Sequence, residues 1–121
     1  MKFSTTQLPT TNYELPTILG TCAGLILLSK LKLLNVKIQR NAYGQQLNSF
    51  ETSLKIPKIT KKPVRAAFIR APRIMKVGEN VEVWSEFEKD PVLVKQKNIW
   101  GMSFHPEIMG ETALHKFIFS K

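Results

Sequence analysis

A chain of 121 residues, with 43% hydrophobic and 22% charged side chains, has the size and balance of one soluble globular domain able to bury a core. Its single cysteine excludes an internal disulfide framework and points to a reducing compartment, here read as the cytoplasm. The net charge of +9 comes from 18 Lys and Arg against 9 Asp and Glu. Its densest cluster (Lys55, Lys58, Lys61, Lys62, Arg65) is broken by Pro57 and Pro63 and has no interleaved aromatics. The charge is therefore read as solvated surface and not as a nucleic-acid interface.

In chain order, residues 1–14 are polar and Thr-rich and read as an irregular lead-in. Leu15 to Ser29 carries no charge, but a membrane span needs roughly 20 apolar residues and this run is broken by Pro16 and two glycines. Neither a span nor a signal peptide is expected there. The run resolves instead into a buried strand, Thr17 to Thr21, and a helix from Ala23 to about Leu34, with Lys30 and Lys32 near its C-terminal end, where the helix dipole favours them. Val36 to Arg40 alternates apolar and polar residues as a half-buried strand does, and Asn41 to Gly44 reads as a turn. Further strands are predicted at Ser53–Ile56, Val64–Ile69, Asn80–Ser85, Val92–Lys95 and Asn98–Phe104, with a turn over Lys76–Asn80. Glu111 to Ser120 closes the chain as a helix carrying Ala113, Leu114, Phe117 and Ile118 on one side.

Two stretches carry candidate chemistry. Gly20-Thr21-Cys22-Ala23-Gly24 places a nucleophile between small residues at a strand-to-helix turn. Glycine permits the sharp bend, and the N-terminus of the new helix favours a thiolate. His105-Pro106-Glu107 offers a base for that thiol and a carboxylate to orient the base. Residues two apart in extended backbone share a face, and the intervening proline stiffens the spacing. On these residues alone, Cys22 reads more readily as an inert core thiol, and His105 as a strand-end histidine beside a surface carboxylate. His115 lies on the terminal helix, expected on its solvent side, and is not a triad candidate.

The combination and order of the motifs resemble class I glutamine amidotransferases. Gln39-Arg40-Asn41-Ala42-Tyr43-Gly44-Gln45-Gln46-Leu47-Asn48-Ser49-Phe50-Glu51 and Ala67-Phe68-Ile69-Arg70-Ala71-Pro72 are similar to the family of glutaminase subunits of pyridoxal 5'-phosphate synthase, and Gly78 to Val83 agrees. The resemblance runs from about Leu15 to the C-terminus. It implies a flavodoxin-like three-layer α/β fold in one glutaminase-type domain over residues 1–121, with 15–121 family-like. It also implies hydrolysis of L-glutamine to glutamate through a Cys22 thioester, with His105 as base and acid and Glu107 orienting it. The Ala23 backbone N–H would supply an oxyanion donor, and Arg40, Ile69 and Arg70 would hold glutamine. The ammonia would pass to a synthase subunit with a TIM-barrel fold. No metal or organic cofactor is expected, and neither nucleic acid nor membrane is expected as a partner.

In the family, strands and a Gly-Gly-Glu-Ser loop precede the elbow, and a glycine N–H of that loop completes the oxyanion hole. Here no glycine precedes Gly20. The expectation is a fold lacking the N-terminal strands. Its alternative function is that of an impaired or non-catalytic partner-binding subunit of the same complex, because one lost oxyanion donor costs roughly a hundred- to a thousandfold in rate.

Overall fold

The computed structural model describes residues 15–39 and 49–120. The lead-in over 1–14, the turn at Asn41–Gly44 and the single-domain reading of the whole chain involve residues outside these. Strand β1 (Ile18–Thr21) leads through Cys22 into helix α1 (Ala23–Lys30), followed by β2 (Val36–Gln39). Next come β3 (Ser49–Leu54), β4 (Val64–Ile69), β5 (Arg73–Val77), β6 (Glu82–Phe87), β7 (Asp90–Gln96) and β8 (Ile99–Met102). A 3-10 turn (Glu107–Met109) and helix α2 (Ala113–Phe119) finish the described chain.

The central sheet has the order β1-β8-β7-β6. β1 runs parallel to β8, with Thr21 opposite Met102, while β8–β7 and β7–β6 are antiparallel. Two antiparallel ribbons, β2–β5 and β3–β4, flank it. One face of the sheet is covered by a core of Leu25, Leu28, Leu34, Ile74, Val81 and Val94, contributed largely by α1 and the β2–β5 ribbon. The other face packs Trp100, Met102 and Leu93 against Phe68 and Val64 of β4, Phe104, and Leu114 and Ile118 of α2. Layers on both faces of a partly parallel sheet give the mixed α/β architecture that the motifs imply. Phe68 anchors the second core, stacked on Phe50 at 4.8 Å and tilted against Phe104 at 5.6 Å.

Several elements differ from expectation. α1 stops at Lys30, short of the expected Leu34, because the chain closes it with a Schellman motif. The Leu33 N–H donates to the Leu28 carbonyl and the Lys32 N–H to the Ser29 carbonyl, both at 3.0 Å. Lys32 takes the left-handed position, φ 62°, usually held by glycine. Arg73–Val77, which carried no strand expectation and overlaps the expected turn at Lys76, forms β5 by pairing with β2. β3 begins at Ser49, earlier than expected, because its register with β4 extends to Ser49 opposite Ile69. On α2, Leu114 and Ile118 are buried and Phe117, partly exposed, lies against Trp84 and Trp100, while Ala113 faces outward.

Candidate functional site: a cysteine elbow beside a histidine–glutamate pair

Because β1 and β8 are parallel neighbours, their carboxyl ends deliver their next residues to one place, where open α/β sheets build sites. Cys22 follows β1, and Ser103-Phe104-His105 follows β8. The Cys22 N–H donates to the carbonyl of Met102, the last residue of β8, at 2.9 Å, which continues the parallel ladder one residue past β1. Cys22 itself sits at φ 55°, ψ −102°, on the left-handed side that a residue with a Cβ avoids. Such backbone costs about 1–3 kcal/mol and persists where the surroundings impose it.

Gly20 is what lets the elbow form. A Cβ there would lie 2.7 Å from the Gly24 backbone and 2.5 Å from Leu28 Cδ1, so α1 can fold back over β1 only with glycine at this position. Gly24 is different: a Cβ there meets nothing within 4 Å. Ala23 and Gly24 open the first turn of α1, whose leading N–H groups have no partner within the helix.

The Cys22 thiol is half-buried and donates to the Ser103 carbonyl at 3.6 Å. Burial, and then the Glu107 carboxylate, push its pKa from an ordinary 9.0 up to about 11. The resting group is therefore a neutral thiol, contrary to the thiolate expected from the helix N-terminus. His105 Nδ1 lies 2.6 Å from a Glu107 carboxylate oxygen, so the expected histidine–glutamate pair forms.

The β8 extension is fastened to β4. The Ala67 N–H donates to the His105 carbonyl at 3.1 Å, and the His105 N–H donates to the Ala67 carbonyl at 2.7 Å. Opposed residues share a face of a ladder, so His105 rises on the same side as Ala67. On that side a pocket of about 410 Å³ is lined by Ser49, Phe50, Glu51, Ala67, Ile69 and Ile108. Ile69 thus lines the pocket beside the histidine segment. Arg70 follows it, exposed, at φ 46°, where the chain turns sharply into buried Ala71 and Pro72. Arg40 lies outside the described residues. His115 is on α2, partly exposed, 6.5 Å centroid to centroid from Phe119. Among the described residues no cluster of His, Cys, Asp and Glu has the arrangement to hold a metal ion, and no helix is long and apolar enough to cross a membrane.

The sequence did not single out the Ser103 carbonyl or Ile108 as part of this region. Ser103 could have been found from the parallel pairing of β1 and β8. Ile108 had no signal beyond following His-Pro-Glu.

An α/β sheet with a strained cysteine between a parallel strand and a helix, and a His–Glu pair at the end of the adjacent strand, is the arrangement of class I glutamine amidotransferases. A solved glutamine amidotransferase superposes with a TM-score of 0.78 at 37% identity, over 84% of this chain and 58% of its own. The profile of the SNO glutamine amidotransferase family matches residues 7–121, and the chain belongs to that family. The match starts ahead of Leu15, where the motif resemblance began. Among curated relatives, the pyridoxal 5'-phosphate synthase subunit PdxT of Thermotoga maritima is 47% identical over 115 residues, 88% of this chain and 61% of its own length. The subunit of the same name from Thermoplasma volcanium is 46% identical over 112 residues, 85% of this chain and 55% of its own length. The chain therefore spans about three fifths of the length of such curated relatives.

Proposed function

We propose that this chain is a glutaminase subunit that releases ammonia from L-glutamine for a pyridoxal 5'-phosphate synthase partner in the cytoplasm. The observation that carries the reading is Cys22 held in strained elbow geometry at the end of β1, beside the His105–Glu107 pair at the end of β8. His105 takes the Cys22 proton as sulfur attacks the side-chain amide carbon of glutamine. The Ala23 N–H donates to the oxyanion that develops on the amide oxygen. The imidazolium, steadied by Glu107, returns the proton to the departing nitrogen, and ammonia leaves. Water, activated by the same histidine, then hydrolyses the thioester to glutamate and restores the thiol. Ile69, Arg70 and Arg40 hold the amino-acid end of the substrate, because a guanidinium can pair with both oxygens of an α-carboxylate. No metal or organic cofactor enters this chemistry.

The test is glutamate release from glutamine with the synthase subunit present, for the wild type and Cys22→Ala. Release by the wild type and its loss in the variant is the expected outcome; equal rates would remove the catalytic assignment. The hydrogen bond that ties the thiol to the Ser103 carbonyl at 3.6 Å, and that must break before sulfur can attack, favours a second reading, a subunit that docks on the synthase without turning over. Co-sedimentation with the synthase and no glutamate release is its signature.

A further inference from the structure

The segment bearing His105 and Glu107 is held to β4 at two points. The first is the paired Ala67–His105 bridge. The second uses residues with no part in the chemistry above. The Arg65 backbone N–H donates to a Glu111 carboxylate oxygen at 2.8 Å, and the Arg65 guanidinium donates to the Met109 carbonyl at 2.8 Å. Arg65 and Ala67 are alternate residues of β4, so their N–H groups point along the same strand edge. The His105 carbonyl satisfies one of these donors and the Glu111 carboxylate the other, so Glu111 stands where a neighbouring strand would.

Glu107 lies between the two anchors, on the 3-10 turn. The turn ends at Gly110, φ 76°, a left-handed joint at which the backbone can swing once its far end is released. The Arg65 side chain is 60% exposed, so its ion pair with Glu111, 3.7 Å from Nε to oxygen, adds little energy. What the contacts supply is direction: a fixed place for Met109 and Glu111, and hence for the turn between them and His105.

We propose that Arg65 and Glu111 form a clamp that positions Glu107, and through it His105, against the Cys22 thiol. Its catalytic consequence rests on the glutaminase reading, while its geometry does not. Both are positioning residues, since neither reaches the reacting atoms.

The test compares Arg65→Ala, Glu111→Ala, Arg65→Lys and Glu111→Gln in the full chain, each checked by thermal melting. Three readouts are taken: the NMR signals of the His105 ring, the pH profile of Cys22 alkylation, and glutamate release with the synthase subunit. In the alanine variants the His105 ring signals shift as the 2.6 Å contact with Glu107 loosens, and the alkylation midpoint falls, because the Glu107 charge is no longer held near the sulfur. Turnover falls about tenfold in kcat with little change in KM, as expected for a sub-ångström misplacement of a catalytic group. Glu111→Gln keeps an acceptor for the Arg65 N–H and stays close to wild type; Arg65→Lys keeps a donor and recovers part of the loss. Arg65→Ala frees the Met109 carbonyl but keeps the backbone bond to Glu111, and Glu111→Ala does the reverse, so misfolding of one leaves the other to decide. Folded alanine variants with wild-type His105 ring signals and alkylation profiles overturn the clamp, whatever happens to turnover. Shifted profiles in a chain whose wild type releases no glutamate overturn the glutaminase reading and leave the clamp standing.

Discussion

Replacing Gly20 by alanine tests whether the elbow is held by close packing of α1 on β1. The new Cβ would sit 2.7 Å from both the carbonyl carbon and the oxygen of Gly24, and ordinary contact begins near 3.4 Å. Backbone cannot rotate away as a side chain can, so the first turn of α1 must retreat by about 0.7 Å. Overpacking of this kind costs about 1–3 kcal/mol, which for a domain of this size lowers the melting temperature by roughly 5–15 °C. The same shift displaces Cys22 and the Ala23 N–H, so alkylation of the thiol changes as well. Gly24→Ala is the control of opposite sign. Its Cβ enters open space and its position is helical, so it leaves stability unchanged or raises it by about 0.5–1 kcal/mol. Thermal melting followed by circular dichroism reads both variants. A Gly20→Ala chain melting with the wild type, or a Gly24→Ala chain melting well below it, would refute the packing argument.

Three further outcomes follow from Cys22 and Lys32. Cys22 keeps its proton to about pH 11, where an unperturbed thiol loses it near 9.0. At pH 8 this leaves about a hundredfold less thiolate, partly offset by the greater nucleophilicity of a more basic sulfur, so iodoacetamide should modify native Cys22 about tenfold more slowly than the unfolded chain. The unfolded chain ionises first, so folding stability falls as pH rises from about 9 to 11, and denaturant melts across that window should show it. Lys32→Gly relieves the left-handed residue that ends α1 and should raise stability by about 1 kcal/mol in urea denaturation.

The strands were most legible where β-branched and apolar residues alternate without competition. Val64–Ile69 is such a run, and the structure reproduces its expected limits. β5 was hidden because Lys76 and Gly78 mimic a turn; only its pairing with β2, a contact across the sequence, makes it a strand. The end of α1 was misjudged because a lysine occupies the left-handed cap, where the usual signal is glycine. The placement of Cys22, His105 and Glu107 was legible from motif order, since parallel strands bring their carboxyl ends together. The charge state of Cys22 was not, because a raised pKa reflects burial and a distant carboxylate that no local pattern reveals. The Arg65–Glu111 contact was illegible for a similar reason: each residue alone looks like ordinary surface charge, 46 positions apart.

Glu107 acts on Cys22 in two opposed ways, and Glu107→Gln separates them. Its charge disfavours a lone thiolate, adding to the effect of burial. Its carboxylate also sits 2.6 Å from His105 Nδ1, placed to steady the ring as it receives the thiol proton. The net effect is to discourage release of the thiol proton to solvent while favouring its transfer to His105. An amide keeps the shape and the hydrogen bond to the ring but loses the charge. Glu107→Gln should therefore lower the midpoint of Cys22 alkylation toward 9.0 while leaving it elevated by burial. In the same variant, glutamate release should fall by about tenfold or more, because the imidazolium formed during attack loses its stabilising charge. A thiol that becomes easier to ionise in an enzyme that becomes slower is a combination burial alone does not produce. If the midpoint falls while glutamate release holds or rises, Glu107 acts on the thiol only, and its placement as the orienting member of the triad is wrong.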